Sequence, residues 1–131
     1  MDTIIASLKI SLDKLLSSPI LSFNNRLHNF LPVKGGVYRI FESGSNWQQS
    51  VYIGKSADIR QRIYQNHLMG NRRASTLKRK LINNGGCVNE EAVKKYLCEK
   101  CQIQYVIIDD DKERTYLEHF AVAILKPEYN D

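Results

Sequence analysis

The sequence predicts one small α/β domain of the α+β type, in which a mostly antiparallel three-stranded sheet is flanked by helices. Three segments rich in β-branched and aromatic residues, near residues 36–41, 50–53 and 102–108, are typical of strands. Residues 43–46 read Ser-Gly-Ser-Asn, a turn composition, so the first two strands are expected to form an antiparallel hairpin. A chain of 131 residues has room for one such domain.

The first element is expected to be an amphipathic helix over residues 3–17, which the Ser-Ser-Pro sequence at residues 17–19 ends. Its apolar residues recur at helical spacing and form one stripe: Ile4, Ile5, Leu8, Leu12, Leu15 and Leu16. Charged residues interrupt this run, so neither a membrane span nor a signal peptide is predicted. We expect a cytoplasmic protein with no membrane partner. The stripe packs on the domain or on a partner, either another protein or a second copy.

A helical turn is expected between Ser22 and Phe30, ahead of the first strand. The second strand, Ser50 to Ile53, is followed by a helix over residues 57–69, which Gly70 ends because glycine tolerates the left-handed conformation. Further helices are predicted over residues 75–83, 89–99 and 112–125, with the third strand, residues 102–108, between the last two. Pro127 ends the last helix.

The positive charge is concentrated in the middle of the chain. The net charge is +5, yet Lys55 to Lys100 alone holds eleven lysines and arginines against four acidic residues. A basic segment between mildly acidic parts of the chain is suited to bind a polyanion such as a nucleic acid. A solvated, lysine-rich surface is the alternative reading of the charge alone.

The chain has three cysteines, and this odd number without an export signal does not favour a disulfide framework. Cys98 and Cys101 have the spacing of half a zinc site. Four ligands are needed, and only Cys87 and the histidines are left to complete the set. We therefore expect free thiols and no structural zinc.

Two tripeptides carry the most specific signal in the sequence. Gly36-Val37-Tyr38 and Tyr52-Ile53-Gly54 lie on the first two predicted strands, and a basic helix follows the second. Together with Arg62, Glu118 and a closing Pro127-x-x-Asn130, this pattern resembles the GIY-YIG nuclease family. The resemblance covers about residues 35–130, so the expected division is an N-terminal helical extension, 1–34, and a nuclease domain, 35–131.

The resemblance implies a divalent-metal-dependent endonuclease that hydrolyses DNA with Mg²⁺ or Mn²⁺. In the family the arginine at the position of Arg62 holds the scissile phosphate, and the glutamate at Glu118 is the carboxylate ligand of the metal. Tyr38 and Tyr52 resemble the active-site phenols, with Tyr38 as the base that activates water, and Asn130 would brace the site. A boundary salt bridge with Arg39 or Arg114 is the alternative role for Glu118.

Two further residues are candidates for the catalytic site. Lys55 would lower the pKa of a phenol or else contact DNA directly. His67 lies five residues after Arg62, whereas family members often carry a histidine four residues after the arginine, where this chain has Asn66. Either a local helix distortion brings His67 into the site, or Asn66 replaces it, or the histidine is dispensable.

A run of cations after the basic helix predicts contacts with the DNA backbone, which add affinity without sequence choice. The residues assigned to this role are Arg60, Arg72, Arg73, Lys78, Arg79 and Lys80. No sequence-reading module is visible, so structure-selective binding, to branched or single-stranded DNA, is favoured. The alternative function is a non-catalytic nucleic-acid-binding module of the same fold.

Overall fold

The computed structural model describes residues 2–44 and 49–130. Its helices are α1 (Asp2–Ser17), a 3₁₀ turn (Leu27–Phe30), a π-helix (Gln61–Leu68), α2 (Thr76–Asn84), α3 (Glu90–Lys100) and α4 (Asp111–Leu125). Its strands are β1 (Leu21–Ser22), β2 (Gly36–Glu42), β3 (Ser50–Ser56) and β4 (Cys101–Ile107). The order of elements follows the predicted order along the chain.

The strands form one antiparallel sheet in the order β1-β4-β2-β3. The predicted α+β class with a flanked antiparallel sheet is confirmed, although the described residues contain four strands and not three. The additional strand, β1, pairs only Leu21 and Ser22 with β4, which is too short to leave a period-two pattern in the sequence. The predicted turn at residues 43–46 lies partly outside the described residues.

Each face of the sheet is covered by a separate group of helices. Tyr38 and Ile40 face the π-helix, α2 and α3, where they pack with Ile63, Leu77 and Leu97. The alternate residues of the strands face α1 and α4 and pack with residues of those helices, a set that comprises Val37, Ile53, Leu12, Leu15, Leu117 and Ala121. This alternation follows from the two-residue period of a strand.

Helix α1 begins one residue before the predicted start and ends where predicted, but only its second half is buried. Leu12 and Leu15 are buried against the sheet and α4, whereas Ile4 and Ile5 remain exposed. Because α1 contacts α4 and β4, the segment before residue 34 packs on the rest of the domain. No helix among the described residues is both long and apolar enough to span a bilayer.

The outer edge of β3 is covered by the residues that follow α4. Lys126 adopts the left-handed conformation (φ 46°) that ends the helix and turns the chain back. The Glu128 and Tyr129 N–H groups then donate to the Ser50 and Val51 carbonyls at 3.0 and 2.9 Å. This return segment gives β3 hydrogen-bond partners on the side away from β2.

Candidate active site

A cleft of about 360 Å³ opens at the β3 edge, where the start of the π-helix and the start of α4 approach each other. Five of the seven predicted catalytic residues line it: Tyr38, Tyr52, Lys55, Arg62 and Glu118. An adjoining cavity shares Tyr52 and Glu118 and is also lined by Lys80, His119 and Asn130. The sheet and two helices therefore gather residues from four separate segments into one depression.

Gly54 allows the Tyr38 ring to lie across β3. Tyr38 is paired with Gly54 in the β2–β3 register. A Cβ atom at position 54 would overlap the Tyr38 hydroxyl and lie 2.5 Å from its Cζ atom. Only glycine leaves room for this close approach, so the glycine of the second tripeptide and the tyrosine of the first act as one packing unit.

The π-helix brings His67 to Tyr38. The Tyr38 hydroxyl and His67 Nε2 are hydrogen-bonded at 2.6 Å. The predicted α-helix over residues 57–69 is therefore wrong in type, since the Met69 N–H donates to the Tyr64 carbonyl five residues back, at 3.0 Å. Because a π-helix has more residues per turn than an α-helix, His67, five residues after Arg62, lies closer to the helix face that Arg62 occupies. The local helix distortion, one of the three interpretations of the histidine offset, is present and places His67 against Tyr38.

His67 is fully buried and neutral. Burial, followed by the positive charges of Arg62 and Lys78, lowers the pKa of His67 to about 3. Its Nδ1 atom is hydrogen-bonded to the Ser75 hydroxyl at 2.7 Å. Ser75 is not among the predicted site residues: the sequence places it at the start of a predicted helix but does not show that it reaches the histidine.

Tyr38 is held as a neutral phenol in this structure. Burial, then the neighbouring Tyr52, raises the pKa of Tyr38 well above its usual value, while Arg62 acts in the opposite direction. The Tyr38 and Tyr52 ring centroids are 6.3 Å apart. Ionisation of Tyr38 therefore requires additional positive charge in the cleft or a hydrogen-bond donor to its oxygen.

Glu118 lies half-buried on α4 at the junction of the two cavities. Burial raises the pKa of its carboxyl group, and the charges of Lys55 and His119 oppose that shift. The alternative salt-bridge partners are engaged elsewhere. Arg39 donates to Ser50 and Gln104, and Arg114 donates to the Ile108 and Asp109 carbonyls.

Asn130 binds β3 through both halves of its amide group. Its Oδ1 atom accepts from the Ile53 N–H at 2.8 Å, and its Nδ2 donates to the Ile53 carbonyl at 2.7 Å. The side chain thereby pairs with the residue that precedes Gly54. This geometry supports the predicted role as a brace of the site.

The predicted DNA-binding cations differ in exposure and in hydrogen-bond partners. Arg73 and Arg79 are exposed, and Lys80 lines the adjoining cavity. Arg72 forms a two-pronged ion pair with Glu90, at 2.9 and 3.0 Å. Arg60 donates from Nε to the Leu31 carbonyl at 2.8 Å.

Lys78 is the clear correction to this set. It is buried, with 2% of its surface exposed, and its ammonium group donates to the carbonyls of Leu68, at 2.7 Å, and of Gly70. A lysine that bonds carbonyls in the interior is not available to phosphate. Lys78 instead satisfies backbone acceptors at the end of the π-helix.

Within residues 2–44 and 49–130 there is no cluster of three or more His, Cys, Asp or Glu side chains that could hold a metal ion. The three cysteines are free. The oxygen donors that line the cleft are the carboxylates of Glu118 and Asp111 and the phenol oxygens of Tyr38 and Tyr52. This set fits Mg²⁺, which keeps several waters and is often held by one or two protein carboxylates.

Comparison with known proteins places the chain in a family. A model described as the GIY-YIG catalytic domain matches residues 34–122. The UvrABC system protein C of Solibacter usitatus is 26% identical over 103 residues, which are 76% of this chain and 13% of that protein. The chain thus spans about one eighth of the length of this curated relative.

Solved structures of one related domain were also found. The GIY-YIG N-terminal endonuclease domain of UvrC from Thermotoga maritima, bound to magnesium, has a TM-score of 0.47 at 15% identity and covers 83% of this chain and 100% of that chain. A point mutant of that domain has the same TM-score at 16% identity, with the same coverage. The family match over residues 34–122, more than half of the sequence, shows that this chain belongs to the GIY-YIG family of catalytic nuclease domains.

Proposed function

We propose that this domain hydrolyses DNA phosphodiester bonds as an endonuclease that uses Mg²⁺ or Mn²⁺. The observation that carries the proposal is the convergence of Tyr38, Arg62 and Glu118 in one cleft with Tyr52 and Lys55. Hydrolysis needs an activated water, stabilisation of the charge that develops on phosphorus oxygens, and neutralisation of the leaving oxygen. The cleft offers a side chain for each need.

Arg62 is the proposed ligand of the scissile phosphate. It projects from the first turn of the π-helix into the cleft. A guanidinium group pairs with two phosphate oxygens at once and remains charged throughout the reaction. Since the phosphate gains charge in the transition state, the pairing is stronger there than with the bound substrate.

Tyr38 is the proposed group that orients the attacking water and, as a phenolate, takes its proton. Its hydroxyl lies at the cleft wall and is hydrogen-bonded to the buried His67. The Lys55 ammonium group lines the same cleft and would lower the energy of a phenolate. Tyr52 lies beside Tyr38, with 6.3 Å between the ring centroids, and lines both cavities, a position suited to contact the substrate strand.

Glu118 is the residue that would hold the metal ion. Its partly desolvated carboxylate, with a raised pKa, gains most from a neighbouring cation. When bound, Mg²⁺ or Mn²⁺ would act as a Lewis acid on the phosphate oxygens. Asn130, through its two hydrogen bonds to Ile53, would keep β3 and Gly54 in place beside this site.

The proposed substrate is DNA without a long recognition sequence, branched or single-stranded forms included. Arg73, Arg79 and Lys80 come after the π-helix in the sequence. They supply positive charge for the phosphate backbone, and no helix that reads bases accompanies them. The alternative of a non-catalytic binding module rested on the position of His67 relative to Arg62. The hydrogen bond between His67 and Tyr38 supports the catalytic proposal over that alternative.

The decisive experiment is nicking of supercoiled plasmid by the purified chain with Mg²⁺ or Mn²⁺, and with EDTA. Glu118→Gln should lose nicking and calorimetric Mn²⁺ binding, because a neutral amide is a poor ligand for a hard cation. Glu99→Gln, which replaces an exposed carboxylate on α3, is the matched control and should retain both. Full nicking and full Mn²⁺ affinity in Glu118→Gln would contradict the assignment of Glu118 as the metal ligand.

A further inference from the structure

Three buried side chains form a continuous hydrogen-bonded series behind the cleft. Tyr38, His67 and Ser75 are 1%, 0% and 0% exposed. The Tyr38 hydroxyl meets His67 Nε2 at 2.6 Å, and His67 Nδ1 meets the Ser75 hydroxyl at 2.7 Å. The direction in which each hydrogen points decides what Tyr38 can do in the cleft.

Ser75 fixes the direction at one end. It is the N-cap of α2, and its Oγ accepts the Lys78 backbone N–H at 3.0 Å. A serine hydroxyl has one hydrogen to donate and two acceptor positions. In the described part of the chain, the Oγ atom has two partners, the Lys78 N–H and His67 Nδ1.

The Lys78 N–H is a donor, so it cannot receive the serine hydrogen. The acceptor left for the buried hydroxyl hydrogen is therefore His67 Nδ1. The opposite arrangement, with hydrogen on Nδ1, would give Ser75 two donors and leave its own hydrogen buried without an acceptor. Native interiors rarely contain such unsatisfied donors.

A neutral imidazole carries one hydrogen, and the two ring nitrogens cannot both be acceptors in that form. If Nδ1 accepts from Ser75, Nε2 must carry the hydrogen. We infer that Ser75 locks His67 in the Nε2–H tautomer, so that His67 donates to the Tyr38 oxygen and the phenol hydrogen is directed into the cleft. This assigns Ser75 a positioning role in the active site.

The consequence rests on the proposed function. A phenol oxygen that already accepts from His67 keeps its own hydrogen for a water or a phosphate oxygen in the cleft. If Tyr38 passes that hydrogen on, the phenolate left behind is stabilised by the His67 N–H. His67 would therefore act as a hydrogen-bond donor to the base and not as the acceptor of its proton.

The tautomer can be measured without any nuclease activity. We would label the chain with ¹⁵N,¹³C-histidine, in a His28→Gln, His119→Gln background, so that His67 gives the only histidine signals. The chemical shifts of the ring nitrogens and of Cδ2 distinguish the two neutral forms. The expected result is the Nε2–H form near pH 7, and the Nδ1–H form would overturn the inference.

Variants of Ser75 test its part in the lock. Ser75→Thr keeps a hydroxyl and a helix cap, so it should keep the Nε2–H form. Ser75→Ala removes the donor and should give a mixture of tautomers. Asn89→Ala is the control. Asn89 caps α3, where its side chain accepts from the Ala92 N–H at 3.0 Å, and α3 contributes no residue to the Tyr38–His67–Ser75 series. An unchanged single tautomer in folded Ser75→Ala would also overturn the inference.

The rate of plasmid nicking gives a second test of the positioning role of Ser75. Ser75→Ala should lower kcat at least about tenfold with KM little changed, and Ser75→Thr should restore it. Asn89→Ala should leave kcat unchanged at a temperature where it is folded. If the wild-type chain cuts no DNA, the proposed function fails, whereas the NMR result still decides the tautomer.

Discussion

The ammonium group of Lys78 donates a hydrogen bond to the carbonyl of Leu68, the last residue of the π-helix, at 2.7 Å. It also donates to the Gly70 carbonyl. A single side chain on α2 thus satisfies acceptors at the end of the helix that carries Arg62 and His67. This interaction ties the geometry of the cleft to the first turn of the next helix.

Lys78→Met should destabilise the fold by about 1–3 kcal/mol, because the buried Leu68 carbonyl and the partly buried Gly70 carbonyl lose their donor while the side-chain volume is nearly kept. Urea unfolding measures the loss. The exposed neighbour Arg79→Met is the matched control and should change stability by less than about 0.5 kcal/mol. Equal stability of the two variants would contradict the structural role of Lys78.

The cations that remain exposed should set the salt dependence of DNA binding. Replacing Arg73 and Arg79 with glutamine should flatten the slope of log Kobs against log[salt] by about 2 on duplex DNA. Fluorescence anisotropy at several salt concentrations gives the slope. The matched control replaces Lys9 and Lys14, which are exposed on α1, with glutamine. It should leave the slope of log Kobs against log[salt] unchanged. An unaltered slope in the variant that lacks Arg73 and Arg79 would show that these two arginines do not contact DNA phosphates.

Arg62→Ala should reduce plasmid nicking by about 10²-fold or more while most DNA affinity survives, since one phosphate contact among several is lost. Arg26→Ala is the control, with an exposed guanidinium group outside the cleft and outside the proposed DNA-binding residues. Rates at saturating DNA separate the chemical step from binding. Wild-type nicking by a folded Arg62→Ala protein would remove Arg62 from the mechanism.

Gly54→Ala should destabilise the domain by about 1–3 kcal/mol, because its Cβ would overlap the Tyr38 ring. The added cost should be much smaller in a Tyr38→Ala background, where the ring is absent. Thermal or urea unfolding of the four proteins in this double-mutant cycle gives the coupling. Additive losses would mean that the Tyr38–Gly54 contact does not explain the need for glycine.

His67 should make stability fall in acid. Its pKa is about 3 in the folded chain and about 6.5 when unfolded, so the unfolded chain binds the extra proton between those values. The stability that neutral His67 contributes is complete above pH 6.5 and is lost as pH falls toward 3, by about 1.4 kcal/mol per pH unit. Relative to His67→Gln, the wild type should show this extra slope. His28→Gln should not remove it, which controls for loss of a histidine.

Much of the fold follows from local patterns. The strands at Gly36 and Ser50, the cap residue Asn89 and the helix end at Pro127 are each visible within a few residues of sequence. The same holds for Tyr38, Tyr52 and Gly54, whose order and spacing carry the family pattern. These features depend on neighbours along the chain, and that is why sequence reasoning finds them.

The features that were missed depend on partners distant in sequence. A π-helix and an α-helix share the same composition, so the wider turns at residues 61–68 appear only once His67 contacts Tyr38. Lys78 sits in a run of cations and looks exposed until the Leu68 carbonyl is placed beside it. Ser75 begins a predicted helix, but its contact with His67 is not visible in the sequence.

The return of residues 128–130 along β3 limits how two such domains could associate. Because Glu128, Tyr129 and Asn130 already occupy hydrogen-bonding groups of β3, that strand is closed to the addition of a foreign strand. Any protein that paired with it would first have to displace Asn130 from Ile53, and so disturb the residue next to Gly54. Sheet extension on this side and an intact cleft are therefore mutually exclusive.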